Sequence, residues 1–377
     1  MLKSIRFKNY KSFSNETVIS LEKSKYSILD ETNVCEDILK GCAFYGSNAS
    51  GKTNALNSIA LLLQLLFSEK MNFGVVQSIY NNEETSWYEY SFVHDGQDIV
   101  YSFEISRSGK IVRENLILNG NSCFTRIENR VESLITENRT YDSGDIDDDM
   151  LFLRVLFFNT KLKSETVLEN WMKSLSKSMY LNPLSHMGIA FNAALVEIDL
   201  ESYLEEFGTS ELNDFLGKYN FPYSIEYKRK ESVKDSIIPF QYRLEFFRND
   251  LPPVPFAIES FGNQLLFNIL PSLMMAIRCN SILIIDEFSS GLHNKLEELI
   301  IRYYMENTTD GQIFFVSHST NLLKTSLLRP DQIYAVDFEK GSSILKKFSD
   351  EHPRESQNLE KMYLSGVFGG IPLYDKN

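Results

Sequence analysis

The chain has 377 residues, 43% of them hydrophobic and 24% charged, a balance that fits a soluble globular protein and excludes wholesale disorder. Its 27 Phe and 19 Tyr can fill a sizeable core, in one large or two ordinary domains. The formal net charge of -13 argues against a broad, non-specific grip on nucleic acid, which wants a basic face.

From the N-terminus, Ile5 and Phe7 alternate with Arg6 and Lys8, the pattern of a half-buried opening strand, and Val18 to Leu21 is its candidate partner. Lys3, Arg6, Lys8 and Lys11 form a basic cluster, read as a solvated strand face. These charges also break any apolar leader, so no targeting signal is expected. Gly41 to Tyr45 reads as a short buried strand entering a Gly-rich turn, and Ala55 to Phe67 as a buried helix. From Trp87 to Leu118 the pattern has period two, with Tyr88, Tyr90 and Phe92 and then Ile99, Tyr101, Phe103 and Ile105 alternating with polar residues. Asp95-Gly96 between the two runs is a turn signal, so an antiparallel hairpin is expected, extended by strands near Ile111 and Leu116.

Asp142 to Asp149 is an acidic run, expected as a solvated loop rather than a metal site. Leu151 to Leu216 is mostly helical in composition, with Pro183 and Gly208 as breakers. Ser224 to Phe247 returns to strand, and Ile282 to Ile285 and Ile313 to Val316 are apolar runs typical of buried parallel strands. The apolar stretches Ala55 to Phe67 and Leu265 to Ile277 fall short of the ~18–20 residues of a membrane span, so no membrane partner and a cytoplasmic location are expected. Cys35, Cys42, Cys123 and Cys279 form no C-x-x-C pair and no zinc spacing, and read as free thiols.

Four motifs carry chemistry. Gly46-Ser47-Asn48-Ala49-Ser50-Gly51-Lys52-Thr53 is G-x-x-x-x-G-K-T after a strand and before a helix, the context of a P-loop, and Asn54 follows it directly. Its backbone N–H groups can cradle phosphate at a helix N-terminus, Lys52 supplies a charge, and the Thr53 hydroxyl takes a Mg²⁺ position. Lys52 is expected in a solvated loop. Ile282-Leu283-Ile284-Ile285-Asp286-Glu287 is the Walker B pattern. Asp286 would hold Mg²⁺, and Glu287 would place the attacking water, since in-line phosphoryl transfer needs an oriented nucleophile.

Phe315-Val316-Ser317-His318 ends a strand about thirty residues later, and a histidine at this place resembles the switch histidine that in ABC-type ATPases reaches the γ-phosphate. Glu259-Ser260-Phe261-Gly262-Asn263-Gln264 opens a helix in the manner of an ABC signature, with Ser260, Gly262, Asn263 and Gln264 as its candidate contacts. Ser289-Ser290-Gly291-Leu292-His293 stands where a D-loop belongs, with Ser290 and Leu292 as its contact residues. Gly262 lies 210 positions after Lys52, and in ABC ATPases the signature of one protomer completes the other's site. ATP would then join two copies across a two-fold axis.

These motifs give the chain a resemblance to the SMC/RecF-like ABC ATPases, and within them to the compact OLD-like group of bacterial phage-defence operons. Ile5-Arg6-Phe7-Lys8-Asn9-Tyr10-Lys11-Ser12-Phe13 resembles the group's first strand, which brings Lys11 into the ATP-binding set. Leu327-Leu328-Arg329-Pro330-Asp331-Gln332-Ile333-Tyr334 and Leu359 to Pro372 resemble its tail. The likeness covers residues 1 to about 70 and about 240 to 372, and the signature departs from it at Phe261 and Asn263.

The resemblance implies an α/β fold: an ABC-type P-loop head of mixed sheet plus antiparallel β subdomain, with an inserted, mostly helical lobe. No sustained heptads occur, so no long coiled coil is expected. The expected division is 1–140 and 226–377 for the two halves of the head and 141–225 for the lobe. The 90 residues after Glu287 are too few for an appended Toprim nuclease. The expected function is an ATPase subunit using ATP and Mg²⁺, self-associating as a dimer or higher oligomer. It would sense a phage-derived trigger and control a separate effector such as a nuclease. The rival expectation is a RecF-like repair ATPase with nucleic acid as its partner.

Overall fold

The computed structural model describes residues 1–68, 76–133, 139–141, 146–159, 162, 165–183, 187–191, 199–231 and 240–371. Two large sheets organise them. The first has seven strands in the spatial order Met187–Ala190, Met179–Asn182, Ile282–Ile285, Gln312–Val316, Gly41–Gly46, Ile333–Glu339, Ser342–Lys347. The inner five are parallel, and the two edge strands run antiparallel to their neighbours. Parallel strands buried on both faces read as continuous apolar runs, which is why Ile282–Ile285 and Gln312–Val316 carry no polar alternation.

Their side chains nonetheless divide by period two. Ile282, Ile284, Phe314, Val316, Phe44 and Tyr334 enter one core, and Leu283, Ile285, Ile313, Phe315, Ala43 and Tyr45 the other. The first core is closed by the helix Lys52–Phe67 and by an eight-stranded antiparallel sheet. That sheet pairs the opening strand Leu2–Lys8 with Thr17–Ser20, and includes the hairpin Thr85–His94 and Gln97–Ser106 turning at Asp95-Gly96. Ile111 and Leu116, expected in separate strands, belong to one strand, Ile111–Leu118, whose register shifts against its neighbour near Leu116. The second core is closed by the helices Phe261–Cys279 and Asn294–Asn307.

Ser224–Glu231 and Phe240–Phe247 pair antiparallel, with Val254–Pro255 beside Phe240–Phe247. Between Leu151 and Leu216 the structure has the helices Phe152–Phe158, Thr166–Ser176, Leu200–Phe207 and Ser210–Lys218. It also has Met179–Asn182 and Met187–Ala190, both in the seven-stranded sheet, so this stretch is not helical throughout. Asp142 and residues 143–145 of the acidic run lie outside the described residues, as does Pro372; Asp148 pairs with Lys110 at 2.8 Å. Among the described residues no helix is long and apolar enough to cross a membrane.

Three of the four residues of the N-terminal basic cluster form ion pairs. Arg6 pairs with Glu16 at 2.6 Å, Lys8 with Glu83 at 2.5 Å and Lys3 with Glu22 at 3.2 Å. All six side chains are exposed, so each pair adds at most about 1 kcal/mol to stability.

Candidate nucleotide site

Parallel pairing brings the C-terminal ends of three strands to one edge. Val316 registers with Phe44, and Ile285 with Phe315. Gly46, Asp286 and Ser317 therefore emerge side by side, at the edge where open α/β sheets bind ligands.

The P-loop has the backbone its glycines demand. Gly51 has φ +111° and forms the N-cap of the helix Lys52–Phe67. A Cβ there would lie 2.3 Å from Ser343 Oγ and 2.7 Å from Ser12 Oγ. Ala49 has φ +61°, a left-handed conformation costly for a side-chain-bearing residue and common where strain serves a site. Ser343 Oγ donates to the Ser50 carbonyl at 2.6 Å and lies 2.7 Å from Ser12 Oγ, which accepts from Asn54 Nδ2 at 2.8 Å. Ser343 thus braces the loop from the far end of the chain and Ser12 from its beginning.

Lys52 is not solvated as expected. It is 6% exposed, and its Nζ donates to the carbonyls of Gly46 at 3.1 Å and Ser47 at 2.8 Å. The loop folds back over its own lysine, because an unpaired ammonium at that depth would be costly. Burial lowers the Lys52 pKa, opposed by the charges of Glu287 and Asp286.

Thr53 Oγ1 donates to Asp286 Oδ1 at 3.2 Å, and the Glu287 N–H donates to the same oxygen at 3.1 Å. Tyr180 Oη donates to Asp286 Oδ2 at 3.4 Å. Burial raises the Asp286 pKa, and the Thr53 hydrogen bond opposes it. Glu287 has φ +54°, and its Oε2 accepts from Ser290 Oγ at 3.1 Å and lies 3.9 Å from His318 Nε2. The His318 N–H donates to Ser289 Oγ at 2.9 Å. Burial, and then the Lys52 charge, lowers the His318 pKa, which favours the neutral ring.

Lys11 has φ +47°, donates its N–H to the Val76 carbonyl at 2.9 Å, and lies close enough to Asp286 for that charge to oppose the pKa lowering caused by burial.

The signature stands apart from this cluster. Ser260 caps the helix Phe261–Cys279, its Oγ accepting from Asn263 N at 3.4 Å. Asn263 is committed within the chain, donating to Glu259 at 2.8 Å and accepting from Tyr223 Oη at 2.9 Å. Gln264 donates to the Phe256 carbonyl at 3.1 Å. Ser260 is exposed, Gly262 is half-buried, and Phe261 is 53% exposed. Gly291, with φ +91°, packs against Phe261, so D-loop and signature touch, while Leu292 is buried. No hydrogen bond among the described residues joins Ser260, Gly262, Asn263 or Gln264 to the P-loop.

The set fits a nucleotide and a hard cation. Among the described residues Ser50 Oγ, buried inside the loop, has no hydrogen-bond partner, and the loop leads into a helix N-terminus. Thr53 and Asp286 present oxygen donors, the ligand type Mg²⁺ takes. Motif reading did not find Tyr180, Ser12 or Ser343. Met179-Tyr180-Leu181 is a short apolar run between Ser178 and Asn182-Pro183, which is the signal that could have marked a buried strand.

Solved structures similar to the chain share its fold. The Smc head bound to the C-winged helix domain of ScpA is 14% identical, with a TM-score of 0.50 over 91% of this chain and 96% of that one. The SMC head domain from Thermotoga maritima is 15% identical, with a TM-score of 0.48, covering 92% and 98%. The Smc head with an extended coiled coil, bound to the C-terminal domain of ScpA from Pyrococcus furiosus, is 13% identical, with a TM-score of 0.48, covering 97% and 98%. At these identities the likeness is one of fold, an α/β fold matching SMC-head ABC-type ATPase domains. No curated protein matches the chain. The family model described as "AAA domain, putative AbiEii toxin, Type IV TA system" matches residues 42–324, a span that runs from the P-loop strand past His318, and the chain belongs to that family of ATPase domains.

Proposed function

We propose that the chain binds ATP with Mg²⁺, hydrolyses it, and assembles around it as a dimer or higher oligomer. The observation that carries this reading is the convergence of Lys52, Thr53, Asp286, Glu287 and His318 at one sheet edge. Lys52 and the loop N–H groups bind phosphate. Thr53 and Asp286 would hold Mg²⁺, which supplies charge neutralisation at the transferred phosphoryl group. Glu287, held by Ser290, orients water and takes its proton at Oε1 or Oε2. Neutral His318, beside Glu287, contributes a hydrogen bond to the phosphoryl oxygens. Lys11 adds positive charge beside Asp286, and Asn54 steadies the loop through Ser12.

The exposed Ser260 and Phe261, with no hydrogen bond from the signature to this chain's P-loop among the described residues, support an arrangement in which the signature serves a second copy's nucleotide. Asn263 and Gln264 then act by holding the signature turn rather than by touching phosphate.

We further propose that the ATPase controls a separate effector in a defence or toxin–antitoxin setting. The family description, which names a toxin system, supports that setting. The ion pairs of Lys3, Arg6 and Lys8 and the net charge of -13 weigh toward a protein partner over direct action on DNA. The test is affinity purification of tagged Glu287→Gln from its native host with ATP present, read for protein and nucleic acid. A stoichiometric protein encoded beside it supports the effector reading. DNA alone, without protein, contradicts it.

A further inference from the structure

Asp286 is gripped twice by a strand from outside every motif. Its N–H donates to the Leu181 carbonyl at 2.8 Å, continuing the parallel pairing in which Tyr180 registers with Ile284 and Leu181 with Ile285. Its carboxylate divides its oxygens. Oδ1 takes Thr53 Oγ1 at 3.2 Å and the Glu287 N–H at 3.1 Å, while Oδ2 takes Tyr180 Oη at 3.4 Å. Tyr180 is 6% exposed, and among the described residues Asp286 is the hydrogen-bond partner of its hydroxyl. A phenol fixed by strand register and burial can do one thing to a carboxylate that a solvated group cannot: it fixes the rotation about the side chain's last bond. With Oδ2 tied to Tyr180, Oδ1 stays turned toward Thr53.

We propose that Tyr180 is a positioning residue of the metal-holding pair, fixing the rotation of the Asp286 carboxylate so that Oδ1 and Thr53 Oγ1 face the same cation. The inference rests on the reading of Asp286 as a Mg²⁺-holding residue. At 3.4 Å the bond is long for one to a carboxylate, so its role is orientation more than binding energy. Groups that orient a metal-binding side chain from behind typically change metal affinity by about 10–100-fold when removed.

The test is a Mn²⁺ titration followed by electron paramagnetic resonance, with a non-hydrolysable ATP analogue present, on wild type, Tyr180→Phe and Asp286→Asn. Metal-free binding of a fluorescent ATP analogue is measured in parallel. Tyr180→Phe removes one oxygen and keeps the ring, so metal-free nucleotide affinity is expected to stay at the wild-type value. Mn²⁺ affinity is expected to fall about tenfold or more. Wild-type Mn²⁺ affinity in Tyr180→Phe, with affinity lost in Asp286→Asn, would overturn the role given to Tyr180 and leave the metal reading standing. Wild-type Mn²⁺ affinity in Asp286→Asn would overturn the metal reading itself, and the inference with it. Equal loss of metal and metal-free nucleotide binding in Tyr180→Phe would show a merely structural residue and overturn the proposal.

Discussion

Thr53 Oγ1 and Asp286 Oδ1 stand 3.2 Å apart although 233 positions separate them in the chain. One opens the helix after the P-loop, and the other follows a strand two places away in the sheet. Thr53→Val and Asp286→Asn each alter one of the two oxygens. Mg²⁺-dependent phosphate release should fall by about 100-fold or more in either variant, the upper range for groups that hold or orient a metal. Turnover at the wild-type rate in Asp286→Asn would contradict the assignment.

Lys52→Ala should lower nucleotide affinity by about 10- to 100-fold, the worth of the ~1.5–3 kcal/mol of a hydrogen bond to a charged group. Ser260→Arg should spoil the signature's contact with a second copy's nucleotide without preventing pairing, while losing a helix cap worth about 1 kcal/mol. Neither variant alone should turn over. An equal mixture should recover about a quarter of wild-type turnover, since half the pairs hold one site with both an intact P-loop and an intact signature. A mixture as inactive as its components would contradict the shared-site arrangement.

Gly51→Ala tests the loop itself. The new Cβ would sit 2.3 Å from Ser343 Oγ at φ +111°, so both packing and backbone oppose it. A loss on the order of 2 kcal/mol is expected, from the left-handed conformation alone. Thermal denaturation should show a lower midpoint, and an unchanged midpoint would mean the loop readily rearranges.

Glu297 gives a pH signature. It is fully buried on the helix Asn294–Asn307, and burial pushes its carboxyl up to about 7, with Ser319 opposing. The folded state therefore binds this proton more tightly than the unfolded chain does. Its contribution to stability is full below about 4.5, falls as pH rises toward about 7, and is level above that. The shift corresponds to about 3 kcal/mol as an order of magnitude. Glu297→Gln should flatten this slope and raise the melting temperature at pH 8 by several degrees, with little change at pH 5. An equal shift at both pH values would contradict the assignment.

The motif-bearing half of the site was legible because its signals are local. A Gly-rich turn between strand and helix, and four apolar residues ending in two acids, each declare their geometry within a dozen positions. Tyr180 was hidden because its strand has only four residues, too few for a period to show, within a stretch whose composition reads as mostly helical. Ser12 and Ser343 meet across 331 positions, and no local pattern encodes such a contact. The burial of Lys52 escaped for a related reason: its partners are backbone carbonyls, which any sequence could supply. The antiparallel sheet was the most readable part, since Tyr88, Tyr90, Ile99 and Tyr101 carry the alternation openly.

The central claim is that ATP joins copies of this chain and that Glu287 releases them. Glu287→Gln keeps an acceptor for Ser290 and removes the base. Light scattering of this variant, with and without Mg²⁺-ATP, tests both halves at once. The account predicts the 43.5 kDa mass of one chain without nucleotide, at least twice that mass with it, and no phosphate released. A single-chain mass at saturating ATP, or phosphate release at the wild-type rate, would contradict it.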